Sequence, residues 1–179
     1  DAAVLIILTT QHCSYLAELM CASLKKVKIQ AEIQYQMPEA GYRDVLHIVI
    51  CPQMFSTLPR QYIAYQLEQS VSSRWFTEDY LARLENSLAI FDYSLRNIAF
   101  LQEKGLSYRQ IYHLPVGLLQ RNNPVQTAEE VDVLFYGDIN NDRRKAYITE
   151  LRKHFSVKII NNLFGEALYT EMAKAKVVV

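Results

Sequence analysis

Apolar and polar positions along this chain fall into alternating blocks. A charge-free run, Ala2 to Leu8, gives way to the polar loop Thr9 to His12, and then to Leu16, Leu19, Met20 and Leu24 at helical spacing. An unbroken apolar run marks a strand covered on both faces, and apolar residues three and four apart mark a helix with one buried stripe. The same unit returns near the C terminus. Val131 to Tyr136 is apolar apart from Asp132, Gly137 to Asp142 is a polar loop, and Ile148, Leu151 and Phe155 recur at helical spacing. A β-branched run, Val157 to Ile160, follows; Gly165 opens a second helical pattern through Leu168, Met172 and Ala175, and Lys176 to Val179 is a third apolar run.

Between these blocks Val27 to Tyr35 alternates strictly, which predicts a strand with one wet face near a sheet edge. Val45 to Cys51 is apolar apart from His47 and stops at Pro52, so His47 reads as a hydrogen-bonded core histidine. Tyr62 to Leu67, Leu88 to Phe91 and Ile111 to Leu114 supply further strands. Ser14, Thr77 and Ser94 stand where helix N-caps are needed, and Gly105 where a helix closes. Strands that alternate with crossover helices predict parallel sheets. The fold class is therefore α/β, with two Rossmann-like doubly wound units: residues 1–117, a polar linker over 118–130 carrying Pro124, and residues 131–179. With only three strands, the second unit reads as the start of a longer domain, and Asp1 in place of an initiator methionine agrees with a piece of a longer protein.

Composition narrows the function classes. Nineteen lysines and arginines balance nineteen aspartates and glutamates, so no global field recruits nucleic acid or an anionic membrane, which leaves only a local patch for peripheral membrane contact. The longest apolar stretch is far below the ~20 residues of a membrane helix, and no basic segment precedes it as in a signal peptide. Cys13, Cys21 and Cys51 are odd in number and lack metal spacing, which favours reduced thiols in a cytoplasm. The patterns G-x-S-x-G, H-E-x-x-H, G-x-x-x-x-G-K-[ST] and G-x-G-x-x-G are all missing, the last arguing against a dehydrogenase.

In open parallel sheets ligands gather beyond the carboxyl ends of the strands. There the chain places His12 and Glu68 in the first half, and Gly137, Asp138, Arg143 and Arg144 in the second. Arg143 and Arg144 fall in the first turn of a helix, where the backbone already presents positive partial charge. A bound anion would relieve that conflict, and so would Asp138 and Asp142; both readings stand. His12 has the ordinary pKa of about 6.5 that suits a base near neutrality, and equally suits a loop histidine bonded to backbone. Tyr136 could flank a ribose, although an aromatic ending a strand more often belongs to a core.

The runs VLFYGDINNDRRKAYITELRK and NNLFGEALYTEMAKAKVVV resemble the opening of the nucleotide-sugar-binding domain of GT-B glycosyltransferases. Within these they are most similar to the group that includes spore-coat and bacterial surface-polysaccharide enzymes. Over Val131 to Val179 the resemblance is close; FDYSLRNIAFLQEKG and LPVG match the end of a GT-B N-terminal domain only in layout.

It implies a transferase that takes a sugar from a nucleotide-diphosphate donor substrate to an acceptor glycan or other acceptor, with no bound metal and no covalent cofactor. Gly137, Asp138, Arg143 and Arg144 would then lie on the donor side, with Glu166 of the FGE motif, and His12 and Glu68, the latter in YQLEQ, would be the catalytic candidates. Glu166 at a helix start also has an ordinary use, stabilising that helix. The second function class is a non-catalytic α/β module serving as a binding or scaffold domain.

Overall fold

The computed structural model describes residues 4–71, 73–106, 110–118 and 127–179. Most of the linker expected over 118–130 lies outside them. The chain forms two compact units, Asp1–Leu119 and Gln120–Val179.

The first unit holds β1 (Leu5–Leu8), α1 (Ser14–Lys26), β2 (Ala31–Gln34), β3 (His47–Ile50), β4 (Tyr62–Gln66), α2 (Glu78–Glu85), β5 (Ala89–Asp92), α3 (Leu95–Glu103) and β6 (Ile111–His113). Its sheet runs β2-β1-β3-β4-β5-β6 and every neighbouring pair is parallel. The chain starts in the interior at β1, steps outward to β2, then returns across β1 to continue from β3. The strand order therefore reverses between β1 and β3.

Strand alternation sorts the side chains onto two covered faces. Ile7, Ile48, Ile50 and Tyr65 pack against Leu16 and Ala17 of α1. Leu8, Val49, Tyr62, Ala64 and Ile90 pack on the other side with Tyr80 and Leu84 of α2 and Leu101 of α3. Burial on both faces explains why β1, and β3 apart from His47, are apolar and β2, at the edge, is not. Thr77 and Ser94 cap α2 and α3, accepting from the Tyr80 and Asn97 N–H groups. Ser94→Ala is expected to cost about 1 kcal/mol in chemical denaturation, the usual value of such a cap.

Local readings differ at four places. Ser14 is not a cap: a 3-10 turn over Gln11–Cys13 brings the backbone into helical geometry earlier, so Ser14 is already in the helix and Cys13 stands at its cap without a side-chain bond. Residues 27–30 are not strand. The N–H groups of Val27, Lys28 and Ile29 satisfy the last carbonyls of α1, with Lys28 at φ 63, and pairing begins at Ala31. Phe155 lies past the end of its helix and is exposed, and Ala175 begins a strand rather than closing a helix.

His47 is fully buried but only half satisfied: Nδ1 lies 2.8 Å from Val45 O, and Nε2 has no partner among the described residues. Burial, the largest cause, holds its pKa below the ordinary value. The unfolded chain then takes up a proton near pH 6.5 while the folded chain does not, so stability is present above that pH and falls as the pH drops below it. The expected slope from this group is up to about 1.4 kcal/mol per pH unit, and His47→Phe should flatten it in denaturation series between pH 7 and 5.

The second unit holds β7 (Val131–Tyr136), α4 (Asp142–Leu151), β8 (Val157–Ile160), α5 (Gly165–Met172) and β9 (Ala175–Val178), with sheet order β8-β7-β9, all parallel. Asp132 ties its three strands together. Its carboxylate accepts from the Ser156 N–H and hydroxyl and from Lys176 Nζ at 2.7 Å, and Lys176 foremost holds it below the usual carboxylate range. Both units are thus parallel α/β sheets of the Rossmann-like kind.

Candidate functional site

Beyond the carboxyl ends of the first sheet, polar side chains replace the apolar ones. Gln66 and Asp92, the last residues of β4 and β5, are fully buried. Gln66 Nε2 donates to Asp92 Oδ2 at 2.7 Å and to Glu68 O at 2.9 Å, while its Oε1 accepts from Tyr80 OH at 2.9 Å and from the Glu68 N–H at 2.5 Å. Asn97 Nδ2 reaches Asp92 Oδ1 at 3.1 Å and Glu68 O at 2.8 Å, and the Ser94 N–H donates to the same Asp92 oxygen at 2.8 Å. Desolvation raises the Asp92 pKa more than these three donors lower it. Being built mostly from acceptors facing donors, the network pins the turn after β4 against the sheet.

Glu68 emerges from that turn. Its Oε1 accepts from Gln53 Nε2 and its Oε2 from Ser73 Oγ, both at 2.9 Å. Both oxygens are therefore held, although each keeps a further lone pair for a substrate proton. His12 lies exposed on the 3-10 turn that follows β1, at the same edge of the sheet.

At the point where the strand order reverses, sulfur meets sulfur. Cys51 follows β3 in the left-handed region, at φ 57 and ψ 63, with its N–H donating to Tyr65 O; Cys13 stands at the N-terminus of α1. The two Sγ atoms are 3.7 Å apart. The Cys51 thiol, and after it the Thr10 side chain, pull Cys13 down to about 7 against the effect of burial, and the same sulfur contact, together with burial, pushes Cys51 well up. Glu68 is close enough that its charge opposes ionisation of both.

In the second unit the loop after β7 carries the other candidates. Gly137 sits at φ 147, which favours glycine, but its N–H donates to Ile160 O at 2.9 Å and so belongs to the sheet ladder. Asp138 Oδ1 accepts from the Asn140 N–H in a tight local turn. Asn141 caps α4 by accepting from the Arg144 N–H, so Arg143 and Arg144 do occupy the first turn. Arg144 bends back to donate to Asp138 O at 2.6 Å, whereas the Arg143 guanidinium lies 5.9 Å from the centre of the Tyr147 ring. Glu166 is in the first turn of α5, at the same carboxyl edge as Gly137, and its carbonyl accepts from the Thr170 hydroxyl.

Two cavities of about 570 and 410 Å3 lie on the flanks of the first unit, one beside Cys21 and Lys25, the other an apolar groove along Leu16, Leu19 and Tyr65; neither is lined by His12, Glu68, Cys13 or Cys51. Among the described residues no helix is long and apolar enough to cross a membrane, and no group of three or more His, Cys, Asp or Glu side chains is placed to hold a metal ion. Gln53, Gln66, Asp92, Asn97 and the Cys13–Cys51 pair were not among the residues singled out from sequence. Comparison with protein-family models, curated proteins and solved structures finds no match.

Proposed function

We propose that the chain is part of a GT-B glycosyltransferase, the first unit serving the acceptor and the second holding the start of the site for a nucleotide-diphosphate sugar. The observation that carries this reading is the turn from Gly137 to Arg144. A helix start capped by Asn141, with two arginines in its first turn, opens at the carboxyl edge of a parallel sheet. Unpaired backbone N–H groups and guanidinium groups together suit a diphosphate, which accepts charge-assisted bonds and offsets the cost of cations at that end of a helix. The resemblance of Val131 to Val179 to the donor domain supports the same assignment.

In this reading the chemistry is the departure of a nucleoside diphosphate as an acceptor hydroxyl attacks the sugar. Arg144, already turned towards the loop, stabilises the leaving charge, and Glu68 or His12 takes the acceptor proton. Titration calorimetry with a panel of nucleoside diphosphates and nucleotide sugars tests it. Binding of at least one at micromolar to low-millimolar concentration is expected; silence across the panel at millimolar concentration sinks the enzyme reading and leaves the scaffold alternative.

A further inference from the structure

We infer that Cys13 and Cys51 form a thiol–disulfide exchange site, with Cys13 as the attacking thiol, Cys51 as the resolving thiol, and a small-molecule disulfide of the glutathione type as the oxidant it takes. The inference is independent of glycosyl transfer. It rests on a division of labour between two sulfurs whose residues stand 38 positions apart in the sequence.

Cys13 is partly exposed, at the end of a short 3-10 turn and at the N-cap position of a thirteen-residue helix. Cys51 is buried behind it, in a backbone conformation that side chains other than glycine rarely adopt, fixed by its N–H bond to Tyr65 and by Pro52 immediately after. Such an outlier is held by its surroundings, and here it directs the Cys51 sulfur at Cys13. To form a bond of about 2.05 Å the two sulfurs have to close from 3.7 Å. The lowered Cys13 and raised Cys51 pKa values agree with these roles.

The step balances as two exchanges. The Cys13 thiolate attacks one sulfur of the oxidant, the oxidant's S–S bond breaks, and the first thiolate leaves and takes up a proton. Cys51 gives up its proton to water and attacks the Cys13 sulfur of the mixed disulfide; the Cys13–Cys51 bond forms and the second thiolate leaves and is protonated. The protein loses two electrons and two protons, and one disulfide becomes two thiols.

Cys21 is the internal control. Its thiol points to Ala31 O at 3.8 Å, and burial followed by the Glu18 charge raises its pKa. The native chain is treated with excess glutathione disulfide near pH 7 and read by intact mass and peptide mapping. Expected are loss of two hydrogens, a Cys13–Cys51 crosslink reversed by dithiothreitol, and a free Cys21. Cys51→Ser should instead accumulate a stable glutathione adduct on Cys13, while Cys13→Ser should yield neither adduct nor crosslink. Cys13 should also react with an alkylating reagent at least about tenfold faster than Cys21. A wild-type chain that keeps three thiols, or that stops at a mixed disulfide with Cys51 still free, overturns the inference. So does an adduct in Cys51→Ser that maps to Cys21 rather than Cys13.

Discussion

Gln66→Leu is expected to lower the stability of the first unit by about 3 kcal/mol or more, because one substitution strands several buried groups at once. The Asp92 carboxylate loses a donor, Tyr80 OH loses its acceptor, and the Glu68 N–H and carbonyl each lose a partner. A lost bond between exposed groups is worth far less, since water replaces it; Gln66 and Asp92 have no exposed surface. The sole tryptophan, Trp75, packs against the same core, so its fluorescence reports this unit in a urea titration. A fall in Tm of roughly 10 °C or more goes with that loss. A cost under about 1 kcal/mol would show that the network is dispensable and that apolar packing alone holds the turn after β4. Asp92 adds a sign that can be checked. Its raised folded pKa means that its contribution to stability is largest below the unfolded value of about 3.9 and is lost as the pH rises through the folded value, opposite in direction to His47.

Strands were legible wherever their environment is uniform. β7 and β8 begin and end where their apolar runs do, because the one charged residue in each, Asp132 and Lys158, leaves the strand-forming pattern on either side of it intact. The edge position of β2 was readable from alternation for the same physical reason, although its start was not. The carbonyls closing α1 claim the N–H groups of residues 27–29, and apolar alternation carries no record of that claim. Caps at Thr77 and Ser94 were legible because an N-cap bond is local; the cap at Asn141, not read from the sequence, follows the same rule.

The candidate site was legible only as far as chemistry stays local in sequence. The loop after β7 could be marked from Gly137, Asp138 and the arginines, since a strand, a polar turn and a helix start are consecutive. The first unit's polar edge could not. Gln66 lies inside the run Tyr62 to Leu67 and reads there as one more strand residue, yet its partners come from Asp92 and Tyr80 on other elements. Cys13 and Cys51 read as unrelated thiols until the sheet order puts β1 beside β3. Register and strand order are set by which covered faces fit together, and that information is spread over the whole core.

Arg144→Ala is expected to weaken nucleoside-diphosphate binding by one to two tenfold steps, about 1.4 to 2.8 kcal/mol, and Arg143→Ala by less than about threefold. The two side chains differ by roughly 100° around the helix, and their contacts show what that rotation does. Arg144 returns over the loop to Asp138 O, so in exchanging a carbonyl for a phosphate oxygen it gains a charge-assisted bond without leaving the turn. Arg143 lies over the Tyr147 ring, away along the helix, and contributes mainly a screened charge. Without ligand, both variants should keep their Tm within a few degrees, since each removes a cation from a helix start and the Arg144 bond to Asp138 is exposed to water. Calorimetry at two salt concentrations separates the contributions: the Arg143 effect should vanish at high salt and the Arg144 effect persist. Equal, small losses in affinity with a marked fall in Tm for Arg144→Ala would identify that arginine as a brace for the Asp138 turn, and the donor diphosphate would have to be placed elsewhere.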